Sequence, residues 1–546
     1  MLVAALTGLG NPITAWSPVL GRRAALWHTL SVRCQRTPAK AMSSLRLLRS
    51  SNVDHRGAHV AALAHEELRK SYSVPVEGRD HLIKRRFSAI IALMPGEGQP
   101  DPRTVMLAFR AANVRSFRDP LEFSLEATAM SEEGVPRSVP WREGGSHPVR
   151  VLPAAGVFGA NASGKTNFLR VLDDMRRLVM TSFRSGDRST RIDRPPFRLD
   201  PECENTPSSY EIELVLGGIR YEYGFSVDTT QVISEYAKRY PHGKAVTIFR
   251  RNYGEPVRLG EEHRAKGRAV NEILRPNALY LSAASAADHP GLAPLYQWFD
   301  KNLTLCEASS REKRWAYTTH LMTHENYREK ILAMLHAADL GITDARLREP
   351  DPEMLERIRR IMKILQQEMS SEGSEPAKID DNAFLGIVLR HRGKRDSVEL
   401  ETSDESLGTL VWLGLVGPVL DALAKGTVLL ADELESSLHP VLVAQLVRTF
   451  QSPRSNPNGA QLIFNSFEVG LLGNSVDDRI LGRDQVWFTE KLHDGSTRLY
   501  PLTDLNPRKA EAISRRYLAG RYGATPIVSD AEFDALAAMV SSEAVK

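Results

Sequence analysis

The eight residues Gly159-Ala160-Asn161-Ala162-Ser163-Gly164-Lys165-Thr166 satisfy G-x-x-x-x-G-K-[ST] without a mismatch, and no other segment narrows the folds open to this chain as far. The pattern has a mechanism only between a strand and a helix. An apolar run ending at Phe158 precedes it, and Phe168, Leu169 and Leu172 follow at helical spacing, so strand, loop and helix are predicted in that order. In that setting glycine lets the backbone curl until successive N–H groups point at phosphate oxygens, and the helix N-terminus adds its positive dipole end. Lys165 is then expected to bridge the β- and γ-phosphates of ATP, and Thr166 to hold Mg²⁺.

A phosphate loop needs acidic residues to hold the metal and activate water. Thr427-Val428-Leu429-Leu430-Ala431-Asp432-Glu433 is a short apolar run ending in two carboxylates, as expected of a central parallel strand whose C-terminal tip meets a ligand crevice. Apolar strands often end in an acid, so the segment gains meaning from its pairing with the loop. Asp432 is expected to bind Mg²⁺ through water and Glu433 to orient and polarise the attacking water. The separation of 267 positions between Lys165 and Asp432 argues against a compact GTPase and fits a core interrupted by inserted lobes.

The remaining pattern supplies those insertions. Phe109 onward reads as a strand, a turn at Asp119-Pro120 and a second strand over Leu121 to Leu125, an opening hairpin. Tyr210 to Leu216, Ile219 to Val227 and Val246 to Arg250, split by Gly217-Gly218, predict an antiparallel β lobe. Residues from about 290 to 372 read as mainly helical. There Leu355, Ile358, Met362, Leu365 and Met369 recur at spacings of 3 and 4 with Arg357, Arg359, Arg360 and Lys363 between them. Two heptads are too few for a long coiled-coil arm, leaving a helix docked on its own domain or a dimer or partner contact. Ser370 to Pro376 reads as a polar linker. The chain thus divides into a leader (1–104), an N-terminal half of the core with the phosphate loop and β lobe (105–289), a helical insertion (290–380) and a C-terminal half of the core (381–546).

Charge bears on partners. Residues 1–105 carry 15 Lys/Arg against 7 Asp/Glu, a net +8, and the rest carry 56 against 60, a net −4. A slightly acidic body gives no support to a DNA-coating protein, although a local basic groove stays compatible with it. Residues 1–53 contain seven basic residues and no acidic one. Three readings of this leader compete. A secretory signal lacks its basic start, an organellar transit peptide matches in composition alone, and the third is a disordered leader or an upstream start codon, with Met106 opening the first alternating strand. Cys34, Cys203 and Cys306 fit neither a disulfide framework nor a zinc site, so a reducing cytoplasm is the expected setting. Leu407 to Leu420, about 14 residues with three glycines and a proline, falls short of the roughly 20 needed to span a bilayer, and no membrane segment is predicted.

Two further segments make the resemblance specific. Glu405-Ser406-Leu407-Gly408-Thr409 heads an apolar helix and is similar to the signature motif of ABC-type ATPases, in which Ser406 and the Gly408 backbone would cap the γ-phosphate held by another subunit's phosphate loop. Ser437-Leu438-His439-Pro440 is similar to the D-loop that crosses such a dimer interface. Phosphate loop, signature, acidic strand and D-loop stand in the order expected. Together with Phe109 to Phe117, Phe197-Arg198-Leu199-Asp200-Pro201, Gly459 to Phe464, Asp484 to Phe488 and Gly520 to Ala524, residues 106–528 resemble the abortive-infection, RloA-like branch of AAA/ABC-hybrid ATPases. The resemblance implies an α/β fold, an ABC/SMC-head-like P-loop NTPase core carrying an antiparallel β lobe and a helical insertion. It also implies ATP and Mg²⁺ as ligands and self-association into an ATP-sandwich dimer or higher oligomer. As partners it implies an effector such as a Toprim-type nuclease and a trigger that is foreign nucleic acid or a phage protein.

One departure stands out. Relatives read Thr-Thr-His-Asp after the strand Gln461 to Phe464, their histidine touching the γ-phosphate, where this chain has Asn465-Ser466-Phe467-Glu468. Phenylalanine can neither donate nor accept that hydrogen bond, so either the role goes unfilled and hydrolysis is slow, or Phe467 packs against the core and Asn465 or Glu468 takes the role over. The leading expectation is a slowly hydrolysing defence ATPase that senses or scaffolds. An SMC- or RecF-like DNA-repair ATPase shares every nucleotide motif but lacks long arms here. A non-catalytic nucleotide clamp draws support from Phe467 and opposition from Glu433, and an ABC importer subunit lacks a membrane-coupling counterpart.

Overall fold

The computed structural model describes residues 101–543 apart from 102, 185–186, 354, 358, 361–384 and 395, with the backbone alone for 540–543. The leader up to residue 100, Ile358, Met362, Leu365 and Met369 of the apolar stripe and the Ser370–Pro376 linker lie outside the described residues. The described residues of 101–350 and 385–543 make one compact unit. Outside it, residues 352–353, 355–357 and 359–360 are described and helical.

The site is built on a six-stranded sheet ordered β11-β15-β16-β5-β17-β18. Its members are β5 (Ala154–Gly159), β11 (Leu303–Cys306), β15 (Val428–Ala431), β16 (Gln461–Asn465), β17 (Val486–Lys491) and β18 (Thr497–Pro501). The first five run parallel and β18 closes the edge antiparallel to β17. Every residue of β5, β15 and β16 is buried, so none shows period-2 alternation; β5 and β15 read as unbroken apolar runs, and β16 carries a buried polar residue at each end, Gln461 and Asn465. β16 lies between the phosphate-loop strand β5 and the acidic strand β15, in register Ala431 to Phe464 and Asn465 to Val157. Three strand tips thereby meet at one edge of the sheet.

Seven antiparallel strands form the lobe, ordered β10-β9-β8-β7-β6-β1-β2. They are β1 (Val105–Ala112), β2 (Leu121–Ser124), β6 (Ser208–Leu216), β7 (Ile219–Val227), β8 (Val232–Arg239), β9 (Val246–Asn252) and β10 (Arg258–Leu259). Gly217 and Gly218, at φ +57° and +85°, supply the positive-φ pair that a two-residue hairpin between β6 and β7 requires. The opening hairpin is an integral part of this lobe, because β1 pairs with β6 as well as β2. Gln461, first residue of β16, ties lobe to core: its Oε1 accepts from Met106 N at 2.7 Å and its Nε2 donates to Met106 O at 2.9 Å.

The stretch 290–380, expected as a helical insertion, is only partly helical among its described residues. It contributes β11 to the core sheet and β12 (Ile342–Arg348) to a three-stranded sheet with β13 (Gly386–Arg392) and β14 (Ser397–Glu401). β11 is four residues long, too short for periodicity to separate it from its flanking helices. The helix α1 (Lys165–Thr181) follows the phosphate loop, burying Phe168, Leu169, Leu172 and Met175. Between β11 and β12 lie α2 (Arg311–Leu321) and α3 (Glu325–Ala337), and α4 (Leu407–Lys425) precedes β15.

The apolar segment at Leu407 is longer in the fold than in the sequence reading. α4 has 19 residues and is long and apolar enough, by length and composition, to cross a membrane, yet 83% of its apolar window is buried inside the protein. Gly417 admits α2 against it: a Cβ there would stand 2.5 Å from Thr318 Oγ1. Pro418 lies within this helix and Gly426, at φ +69°, caps its end.

Candidate functional site

The phosphate loop joins β5 to α1 and is braced from behind by β17 and β18. Ser163, 1% exposed, shares a hydrogen bond between its Oγ and Thr489 Oγ1 at 2.7 Å, and its carbonyl accepts from Thr497 Oγ1 at 3.0 Å. Both glycines of the motif are required by this packing. A Cβ on Gly159 would stand 2.4 Å from Thr489 O, and one on Gly164, whose φ is +106°, 2.3 Å from Thr497 Oγ1. Ala162 adopts the left-handed conformation at φ +59°, and Asn161 and Ala162 are exposed. The loop is thus fixed on one side and open on the other.

Lys165, first residue of α1, is 6% exposed and donates from Nζ to Gly159 O at 2.8 Å and Ala160 O at 3.0 Å. Burial pushes its ammonium down to about 8, against the opposing pull of Glu435, Glu433 and Asp432. Thr166 Oγ1 donates to Asp432 Oδ1 at 2.8 Å. Residues 267 positions apart in sequence, Lys165 and Asp432, therefore share one site through the adjacency of strand tips. A hydroxyl and a carboxylate in contact are the oxygen donors that Mg²⁺ takes, and this ion commonly uses one or two protein ligands and completes its shell with water and phosphate. Among the described residues no cluster of three or more His, Cys, Asp or Glu offers a fuller protein cage.

Asn465, at the tip of β16 and fully buried, organises the acidic pair. Its Nδ2 donates to Asp432 Oδ1 at 2.6 Å, and its Oδ1 accepts from the backbone N of Glu433 at 2.5 Å. Glu433 stands at φ +49°, turning the chain out of the strand. Asn465→Ala is expected to leave the Asp432 carboxylate and the Glu433 N–H each short of a buried partner and to lower stability by about 2 kcal/mol. Equilibrium denaturation checks this, and a loss below about 0.5 kcal/mol would show that the amide does not hold the pair.

Phe467 is 44% exposed, and its ring lies over Lys165 with Nζ 3.7 Å from the centroid, a cation–π contact. The residue that departs from the related pattern therefore touches the ammonium expected to hold phosphate.

The signature residues lie elsewhere. Ser406 caps α4, its Oγ accepting from Thr409 N at 3.1 Å. Gly408 lies against the D-loop, where a Cβ would stand 2.8 Å from Ser437 O, and Ser437 itself has φ +61°. Among the described residues no hydrogen bond runs from Ser406 or Gly408 to the phosphate loop. Thr489, Thr497 and Glu435 are site residues that motif reading passed over. The threonines act by packing behind the loop and follow no spacing rule, whereas Glu435 stood in plain view two residues after Glu433.

Residues 154–466 match the family described as "AAA domain, putative AbiEii toxin, Type IV TA system". The matched stretch begins at the first residue of β5 and ends just past Asn465, enclosing the phosphate loop, the signature segment, Asp432 and Glu433. The chain belongs to this family. The expected resemblance to abortive-infection ATPases is met at the level of this family, and the α/β fold with a core sheet and an antiparallel lobe is the one expected. Among curated proteins nothing matches. Among solved structures, the SmcHead bound to the C-winged helix domain of ScpA is similar at 12% identity with a TM-score of 0.32, over 72% of this chain and 96% of that one. The SMC head domain from Thermotoga maritima is similar at 12% identity with a TM-score of 0.26, over 72% and 98%. The Smc head domain with an extended coiled coil bound to the C-terminal domain of ScpA derived from Pyrococcus furiosus is similar at 14% identity with a TM-score of 0.28, over 74% and 98%.

Proposed function

We propose that this chain binds and slowly hydrolyses ATP and that it acts as a sensor or scaffold in bacterial anti-phage defence, controlling an effector such as a Toprim-type nuclease. The observation that carries the enzymatic part is the meeting of Lys165, Thr166, Asp432 and Glu433 at the tips of β5 and β15. Lys165 holds the β- and γ-phosphates, and Thr166 with Asp432 would hold Mg²⁺, which when bound neutralises charge on the phosphates. Glu433 takes a proton from water as the water oxygen bonds to the γ-phosphorus; the bond from phosphorus to the bridging oxygen breaks, and ADP leaves with the electron pair. Ser406 and Gly408 cap the γ-phosphate of a second copy, so that ATP closes a dimer. The defence role draws its support from membership of a family described by a putative AbiEii toxin. Plating efficiency of phage on cells carrying this chain with its neighbouring gene, compared with the Lys165→Ala form, tests it. Equal plating on both, with ATP binding lost in the mutant, would sink the defence role while leaving the ATPase standing.

Slow turnover is attributed to Phe467. A preorganised donor at the developing charge is worth about 3 kcal/mol, on the order of a hundredfold in rate. Phe467→His is expected to raise the single-turnover rate toward that figure under saturating ATP and Mg²⁺, because an imidazole there can hydrogen-bond the transferring group. An unchanged or lower rate would assign the slow turnover to another cause.

A further inference from the structure

Glu435 follows Glu433 by two residues in a turn closed by Ser436 N on Glu433 O at 2.9 Å and Leu438 N on Glu435 O at 2.8 Å. The turn directs its side chain inward, where Oε1 accepts from the backbone N of Phe467 at 2.7 Å. The other oxygen, Oε2, is buried and has no hydrogen-bond partner among the described residues. Glu435 acts on the Lys165 ammonium together with Glu433 and Asp432, yet no ion pair joins Glu435 and Lys165 among the described residues. A buried carboxylate oxygen without a donor is costly to maintain. Such an oxygen marks a place kept for a donor that comes and goes.

The neighbourhood selects that donor. Lys165 marks the end of the site where the γ-phosphate lies. Phosphate oxygens there are acceptors and cannot satisfy a carboxylate, and Lys165 gives two of its hydrogens to Gly159 O and Ala160 O, leaving the third for phosphate on the ATPase reading. Water is the donor that remains beside a γ-phosphate, and it is also the nucleophile. We propose that Glu435 is a second catalytic carboxylate, whose Oε2 accepts one hydrogen of the attacking water while Glu433 takes the other as a proton. This rests on the ATPase reading above. The water oxygen bonds to the γ-phosphorus, the bond to the bridging oxygen breaks, ADP leaves with the electron pair, and the hydrogen held by Glu435 stays on the new phosphate. Because Oε1 is already committed to Phe467 N, the carboxylate cannot rotate away from this duty without releasing the backbone beside Lys165.

Glu435→Gln tests the assignment. The amide oxygen can keep the bond to Phe467 N, while the amide NH₂ replaces Oε2 and donates where an acceptor is needed. The expected result is an affinity for an ATP analogue within threefold of wild type, a melting temperature without nucleotide no lower than wild type, and a single-turnover rate reduced about tenfold to a hundredfold. Glu435→Ala, which opens room beside the water, is expected to lose rate similarly and to regain part of it with added formate, a recovery that a merely structural role would not give. A wild-type rate in Glu435→Gln would overturn the assignment alone, as would tighter ATP binding with unchanged chemistry, which would make Glu435 a lock on Lys165. A wild-type protein that binds ATP and never hydrolyses it would take down the ATPase reading, and this assignment with it.

Discussion

Lys165→Ala is expected to weaken ATP binding by on the order of a hundredfold. The ammonium is 6% exposed and donates to two loop carbonyls, and burial has brought it to about 8, so it stays largely charged at neutral pH in a place where charge is expensive. Phosphate oxygens are the partners that repay such a position. Charge-assisted hydrogen bonds contribute about 1.5 to 3 kcal/mol each, and the upper figure corresponds to roughly a hundredfold in Kd. Alanine also leaves Asp432, Glu433 and Glu435 facing the phosphates without the cation that offsets them, which works in the same direction. Titration of a fluorescent ATP analogue with Mg²⁺ measures the loss. A Kd within threefold of wild type would show that the loop backbone alone carries the phosphates.

How much of this was legible in the sequence depends on whether the information is local. The phosphate loop, the acidic strand tip and the first helix are written in contiguous residues, and the structure brings Thr166, next to Lys165, to hydrogen-bond range of Asp432. The lobe strands β6, β7 and β9 are legible because their aliphatic and aromatic residues gather into short runs bounded by turn signals such as Gly217-Gly218, although their burial does not alternate strictly. β8 (Val232–Arg239) was passed over: its sequence, VISEYAKR, mixes Glu and Lys into the strand, and Glu235 is fully buried at the N-terminus of the helix Tyr280–Ala286, accepting from Tyr280 N and Leu281 N. That burial is compensated from another element, so no pattern within β8 could announce it. β11 was hidden by its brevity.

The candidate site divides in the same way. Asn465 is legible only as a possible stand-in for the missing histidine, whereas its bonds here reach across to Asp432 and Glu433 on a neighbouring strand, which no pattern within β16 conveys. Thr489 and Thr497 support the loop from strands more than 320 residues later in the chain, and only the placement of β17 beside β5 gives them that task. Phe467 was legible as a departure, while its contact with Lys165 was not. What sequence conveys here is the chemistry that must face the nucleotide; what it withholds is the scaffold that aims it.

Glu433→Gln is expected to separate binding from chemistry, with turnover falling about a hundredfold to ten-thousandfold while ATP affinity stays within threefold of wild type. Glu433 leaves the strand at φ +49° with its backbone N held by Asn465 at 2.5 Å, so its position is set by the main chain and survives the loss of its charge. Glutamine has the same length and can still touch water, but it cannot accept the proton that the attack releases. Lys165 and the loop, the groups expected to hold phosphate, are untouched. ATP should then persist in the site, and if Ser406 and Gly408 of one copy cap the phosphate of another, the closed dimer should accumulate. Size-exclusion chromatography with ATP reads this as a shift to larger size in Glu433→Gln that is absent in Lys165→Ala. Equal loss of ATP binding in the two variants would refute Glu433 as the base and make it a structural acid. Normal turnover in Glu433→Gln would transfer the role to Glu435, whose buried free oxygen is the other acceptor at this edge of the sheet.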